Sequence, residues 1–182
     1  QIHLDVHGVP EGAWPESIPR IGLQMTVPGS FEHVTWYGRG PGECYVDSKQ
    51  AARIGLYRAT VDELYTPYIY PQENGNRTDV GWVALTDEQG AGLVAFGQPT
   101  LDFSAHRYAT LDLDRARHQY DLVQRPDITL NLDYRQNGLG SASCGPGVLP
   151  QYLLRAEEFR FSVRLARYDA AHRGAIPRGR FS

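Results

Sequence analysis

The chain has 182 residues with 18 basic and 21 acidic side chains, and its formal net charge at pH 7 is −3. Such a length fits one domain, which buries about 70% of the surface that the unfolded chain exposes. The basic residues are scattered, so no broad positive field exists for phosphate backbones, and we expect no nucleic-acid partner. Apolar runs stay well below the ~20 residues that cross a bilayer, and the first residues lack the regions of a signal peptide. We therefore expect no membrane partner and a cytoplasmic location.

Six segments alternate between apolar and polar residues with a period of two, which is typical of β-strands. The clearest is 159–165, where Phe159, Phe161, Val163 and Leu165 are expected to face a core. Nineteen glycines and twelve prolines interrupt the chain at short intervals, as all-β sandwiches require. The pattern predicts an antiparallel β-sandwich with strands at 2–7, 21–27, 80–85, 92–96, 128–134 and 159–168.

One stretch favours a helix, so we expect at most one short surface helix. Thr110 is positioned to cap a helix from Leu111 to Leu122, with acidic residues in the first turn and basic residues later, as the helix dipole prefers. No repeat or linker divides the chain. We expect a sandwich domain over 1–169 and a loosely ordered tail over 170–182, which is rich in Arg and Gly.

Two cysteines, Cys44 and Cys144, are too few for a disulfide scaffold and show no C-x-x-C spacing. We expect both to be reduced. The six histidines form no H-E-x-x-H motif. We therefore expect neither a metal site nor a cofactor in this chain.

Three blocks stand out in the chain. Residues 36–47 read W-Y-G-R-G-P-G-E-C-Y-V-D, residues 65–77 read Y-T-P-Y-I-Y-P-Q-E-N-G-N-R, and residues 138–146 read G-L-G-S-A-S-C-G-P. Together and in this order they resemble the W-x-G-x-G-P-x-E-x-Y-x-D block, the Y-T-P-Y-x-x-P-x-E-N-G-x-R signature and the late active-site loop in the C-terminal domain of family 2 glycoside hydrolases of the β-galactosidase type. The resemblance covers roughly residues 20 to 166.

The resemblance implies a large antiparallel sandwich, a supersandwich similar in shape to galactose mutarotase. That domain is longer than this chain, and residue 1 matches a point inside it, so we expect the sandwich to be truncated on its N-terminal side. A retaining glycosidase needs two carboxyl groups ~5 Å apart. In the resembling family both lie in a central barrel domain, so no catalytic residue is expected here. The implied partners are the remaining enzyme domains, a galactoside substrate and a second copy of the chain in a homo-oligomer.

The late loop supplies three candidates for the rim of a substrate pocket, Cys144, Ser143 and Gly140. In some family members this loop places a tryptophan against the sugar, at a position that aligns with Cys144. The sequence leaves two interpretations of Cys144 open, contact at the rim and simple packing of the loop.

Glu73, Asn74 and Arg77 are the candidates in the second block. Carboxylate, amide and guanidinium groups follow two prolines and surround an Asn-Gly turn, which restricts the backbone and gathers the three side chains. They serve either as a hydrogen-bonded clamp between loops or as ligand-binding groups. Glu43 is a candidate partner for Arg77.

Three function classes follow. The first is a noncatalytic segment of a β-galactosidase, which borders the active site and supports assembly. The second is a free-standing mutarotase-like sugar enzyme with His106 and Glu73 as acid and base. The third is a carbohydrate-binding or structural module with a surface platform of Tyr68, Tyr70 and Trp82.

Overall fold

A computed structural model describes residues 1–141 and 144–169 of the chain. Ser143 and the predicted tail at 170–182 lie outside the described residues. The strands are β1 (Ile2–Gly8), β2 (Arg20–Val27), β3 (His33–Gly40), β4 (Arg53–Thr60), β5 (Arg77–Thr86), β6 (Ala91–His106), β7 (Ile128–Gln136) and β8 (Phe159–Asp169). The helices are α1 (Val61–Leu64) and α2 (Thr110–Arg115), with 3-10 turns at Lys49–Ala51, Gln119–Asp121 and Pro150–Tyr152.

The strands pair in one antiparallel sheet with the order β1-β8-β6-β5-β3-β4, and β7 pairs with both β6 and β2. The long strand β6 pairs with β8 over Ala91–Gln98 and with β7 over Asp102–His106. Pro99 lies between these two parts and has no N–H to donate to a ladder. Strand β6 thus exchanges β8 for β7 as a partner at this point, while β5 pairs with both of its parts. The nearly all-β, antiparallel architecture is that of a β-sandwich.

The core confirms the predicted alternation in the last strand. Phe161, Val163 and Leu165 are buried and belong to the main cluster, and Phe159 is partly buried against it. All six predicted strands occur, but β6 continues ten residues beyond the predicted end at 96, to His106. The largest fully buried side chains are Trp36, Phe103, Leu64, Leu85, Ile128, Leu130 and Leu132.

The sequence did not predict β3 and β4. Two glycines in β3 weaken the strand pattern, but one of them has a reason that lies elsewhere in the chain. A Cβ on Gly38 would lie 2.6 Å from Val80 Cγ2 and 2.7 Å from Val80 Cα. Glycine therefore permits the close approach of β3 and β5.

The helices differ from the expectation in number and length. We expected at most one helix, near Thr110. The structure has a further helix, α1, which begins with a reciprocal capping box between Thr60 and Glu63. The predicted helix at 111–122 ends already at Arg115, because the Asp121 carboxylate accepts hydrogen bonds from the N–H groups of Arg117 and His118 and begins a new turn. None of the described helices is long and apolar enough to cross a membrane.

Candidate functional site

Arg77 ties both ends of the 65–77 segment to the rest of the sandwich. Its side chain is 4% exposed, and Nη1 donates to the carbonyl oxygens of Leu64 at 3.1 Å and Gly75 at 2.7 Å. Nη2 donates to the Pro41 carbonyl at 3.0 Å. Burial lowers the pKa of Arg77, and nearby anions including Glu43 oppose this shift. The candidate partner Glu43 forms no ion pair with Arg77 in the structure, because both Nη groups bind backbone carbonyls instead.

Asn74 fixes the turn inside the same segment. Its Oδ1 accepts from the Thr66 N–H at 3.0 Å, and its Nδ2 donates to the Gln72 carbonyl at 2.9 Å. The Asn74 carbonyl accepts from His106 Nε2 at 2.9 Å. Asn74 is 1% exposed, so these contacts favour the clamp interpretation for this residue over ligand binding.

Glu73 lies next to a pair of oppositely charged side chains, Arg20 and Asp133. Its Oε2 accepts from Arg20 Nη1 at 3.4 Å, and the other Nη group of Arg20 binds Asp133 at 2.8 Å. Burial raises the pKa of Glu73, and the Arg20 charge counteracts part of that shift. The Glu73 carboxyl group is therefore partly paired, through its contact with Arg20.

Glu43 is bound from two sides of the 65–77 segment. Its Oε2 accepts from the Gly75 N–H at 2.7 Å, and its Oε1 accepts from the Tyr68 hydroxyl. Burial and the Glu43 carboxylate raise the pKa of Tyr68 to about 12. Burial, followed by the charges of Glu73 and Glu43, also raises the pKa of Tyr45. Burial and these carboxylates therefore keep both phenols protonated.

Hydrogen bonds to Asp47 and Tyr152 hold the late loop in place. The Gly140 N–H donates to Asp47 Oδ2 at 2.8 Å, and the Gly138 N–H donates to the Tyr152 carbonyl at 2.9 Å. Gly140 has a φ of +63°, which glycine adopts at little cost. The loop is thus docked onto the end of the Trp36–Asp47 block.

Cys144 lies in a tight turn of this loop, and its N–H donates to the Ser141 carbonyl at 3.0 Å. The residue is exposed, whereas Cys44 is buried, and both cysteines are free as expected. Its predicted companion Ser143 falls outside the described residues.

The first and third blocks and Tyr68 of the second meet at a cavity of about 550 Å³. Of the predicted site residues that the structure describes, only Gly140 lines it; Glu73, Asn74, Arg77 and Cys144 do not. The lining residues are Glu43, Tyr45, Asp47, Ser48, Tyr68, Leu139, Gly140, Ser141, Pro146, Gly147, Leu149 and Tyr152.

Asp47 and Tyr152 were not among the site residues predicted from the sequence. The sequence does place Asp47 at the end of the Trp36–Asp47 block, which is the one feature that could have identified it. Nothing in the sequence around Tyr152 marks it, because its place beside Gly138 depends on the way the loop closes.

A second cavity of about 520 Å³ lies next to the first and shares Tyr152 with it. Asp102 lines this cavity, and its Oδ1 accepts from the Asp79 N–H at 3.3 Å. Burial raises the pKa of Asp102 to about 7, and that hydrogen bond opposes the shift. The Asp79 carboxylate itself pairs with Arg39 at 2.6 Å and with Lys49 at 3.0 Å.

Within 1–141 and 144–169, no three His, Cys, Asp or Glu side chains are placed to hold a metal ion.

The contacts disfavour the two alternative functions. His106 is 4% exposed and borders a cavity of about 60 Å³, which is far below the size of a typical small-molecule pocket. Burial lowers the pKa of His106 to about 4. Trp82 is 6% exposed in a cluster with Phe96 on the sheet, so it does not form a surface platform with Tyr68 and Tyr70.

Comparison with known proteins agrees with this architecture. The family model described as "Beta galactosidase small chain" matches residues 1–165. A β-galactosidase of Priestia megaterium is 41% identical over 140 residues, which cover 77% of this chain and 13% of that protein. A β-galactosidase of Kluyveromyces lactis is 40% identical over 152 residues, 84% of this chain and 15% of its own length. A β-galactosidase of an Arthrobacter species is 32% identical over 170 residues, 91% of this chain and 17% of that protein.

The chain thus spans less than a fifth of the length of each of these relatives. The family match extends over nearly all of the described residues, and it includes all three blocks and the cavity between them. The chain belongs to the β-galactosidase small-chain family.

Proposed function

We propose that this chain is a noncatalytic segment of a β-galactosidase, in which it borders the active site and supports assembly. In this proposal the intact enzyme is a family 2 glycoside hydrolase that cleaves terminal β-D-galactosides, and the two catalytic carboxyl groups come from another domain. The segment is one part of a supersandwich. The intact enzyme is a cytoplasmic homo-oligomer.

The observation that carries the proposal is the docking of the late loop. Gly140 binds Asp47 at 2.8 Å, so a loop of irregular backbone is fixed by a side chain from a distant block. Loops that a rigid sandwich positions in this way commonly carry binding functions. The exposed Cys144 at its tip suits a rim position.

The clamp residues support the same role indirectly. Arg77 and Asn74 hold the 65–77 segment, and this segment presents Tyr68 to Glu43 at the cavity. The clamp therefore shapes one wall while the late loop forms the other. A wall built from buried hydrogen bonds resists movement, which favours a positioning role over a catalytic one.

The test compares the intact enzyme, the enzyme without this segment and the isolated chain, using hydrolysis of a chromogenic β-galactoside. We expect activity only in the intact enzyme, with loss of activity or of assembly on deletion. Turnover by the isolated chain that disappears on changing one of its Asp or Glu residues would overturn the proposal. Full activity and unchanged assembly after deletion would also overturn it.

A further inference from the structure

The cavity under the late loop has an unbalanced charge. Its charged lining residues are Glu43 and Asp47, and no Lys, Arg or His side chain of the described residues lines it. Neither carboxylate takes part in an ion pair within the described part of the chain. The nearby Arg77 uses both Nη groups on backbone carbonyls. Two negative groups therefore face one cavity without a cation in it.

Two polar atoms beside the cavity also lack a hydrogen-bond partner among the residues that the structure describes. Tyr45 is 2% exposed, and its hydroxyl approaches the Asn76 backbone without forming a hydrogen bond of normal geometry. The Asp47 carboxylate uses Oδ2 for Gly140, while Oδ1 is buried and unpaired among the described residues. An unsatisfied buried polar atom costs about 1–3 kcal/mol. Both residues line the cavity, and both atoms are closed to solvent in this conformation, so a side-chain rotation would bring each of them to a donor bound there.

The walls define the shape of that group. Leu139 and Leu149 supply apolar surface, and Tyr68 and Tyr152 supply aromatic rings. An arginine side chain has an apolar stem, a planar guanidinium that stacks on aromatic rings, and several donors for carboxylates. The cavity volume of about 550 Å³ accommodates such a side chain together with part of the backbone that carries it.

We propose that this cavity is a socket for a basic side chain, best an arginine, presented by the part of the enzyme that packs against this segment. The inference rests on the proposed function for the identity of the partner. Two carboxylates and three tyrosine rings around one opening give the socket its charge and shape complementarity. The bound cation would join the late loop and the Trp36–Asp47 block to the neighbouring domain.

The first experiment titrates the complete 182-residue chain with arginine amide and follows the amide signals of Gly140 and Gly75 by NMR. These two N–H groups donate to Asp47 and Glu43, so they report on both carboxylates. We expect saturable shifts that weaken with added salt. Asp47→Asn preserves an oxygen acceptor for Gly140 and should weaken binding about fivefold or more. Glu88→Gln, at an exposed turn position outside the cavity, should leave binding unchanged.

Galactose and lactose serve as neutral ligands in the same titration. Shifts with either sugar and none with arginine amide would overturn the proposal in favour of a saccharide site. An absence of shifts with all three probes would overturn it as well. Three arginines follow residue 169, namely Arg173, Arg178 and Arg180. A gain in affinity when all three become Gln would identify the chain's own terminus as the occupant and overturn the assignment to another domain.

The second experiment uses the intact enzyme. Asp47→Asn should lower the Tm and loosen the association of this segment with the rest, and Glu88→Gln should change neither. An unchanged Tm for Asp47→Asn would overturn the socket. Neither readout requires galactoside turnover, so this result is separate from the outcome of the activity test.

Discussion

The Gly140 N–H donates a hydrogen bond to Asp47 Oδ2 at 2.8 Å, and this bond joins two positions that are 93 residues apart in the chain. A carboxylate acceptor makes the bond stronger than one between neutral groups. The glycine has a φ of +63°, and an added Cβ would lie 2.8 Å from Val148 N. The position therefore imposes both a backbone conformation and a steric limit.

Gly140→Ala should destabilise the chain by about 1 kcal/mol or more, because alanine pays for the left-handed conformation and contacts the Val148 backbone. Chemical denaturation measures the free energy of unfolding. The matched control is Gly147→Ala in the same loop, where an added Cβ has no atom within 4 Å. Equal stability of the two variants would show that the loop readily adopts another conformation.

Arg77→Ala should lower the free energy of unfolding by about 1–3 kcal/mol, since it leaves buried carbonyl groups of Leu64, Gly75 and Pro41 without donors. Thermal and denaturant unfolding check this value. Arg58→Ala, at an exposed position of β4, is the control and should have little effect. An Arg77→Ala protein with unaltered stability would contradict the clamp interpretation and leave Arg77 available for a ligand.

The buried carboxyl of Asp102 should make stability depend on pH. Its pKa rises from an ordinary 3.8 to about 7 in the folded chain, so between these values the folded state binds more protons than the unfolded state. Stability due to this group is therefore lost as the pH rises from about 4 to about 7. Asp102→Asn keeps an oxygen to accept from Asp79 and removes the titration.

The measurement is the Tm of both proteins from pH 5 to pH 8. Asp102→Asn should gain stability relative to the parent chain as the pH rises. Asp127→Asn, at an exposed position before β7, should follow the parent chain at every pH. Parallel curves for the parent and Asp102→Asn would show that Asp102 is not protonated near neutral pH.

The sequence predicted features that depend on neighbouring residues. The alternation from Phe159 to Leu165 reports which face of β8 is buried, because side chains of a strand alternate between its two sides. It could not predict features that depend on distant contacts. Gly38 weakens the pattern of β3 locally, although its reason is the approach of Val80 in another strand.

The same limit applies to the site. The Asn-Gly turn identified Glu73, Asn74 and Arg77 as a group, since turn chemistry is local. The partners of Arg77 are backbone carbonyls at Pro41, Leu64 and Gly75, and carbonyl groups carry no residue-type signal. The fold alone shows that Asp47 supports the late loop.

The last prediction concerns Cys144, which is exposed while Cys44 is 1% exposed in the core. The native chain should therefore react with one equivalent of an alkylating reagent, and the unfolded chain with two.

If the late loop borders the pocket in the intact enzyme, a galactoside should slow alkylation of Cys144. Cys144→Trp should then lower the KM for galactosides through contact between the indole and the sugar ring, by an amount on the order of 1 kcal/mol in binding. Cys144→Ser is the control for loss of the thiol and should leave the KM close to that of the parent enzyme. Unaltered KM and kcat in Cys144→Trp, together with alkylation that substrate does not slow, would place the loop away from the pocket and leave it a packing role.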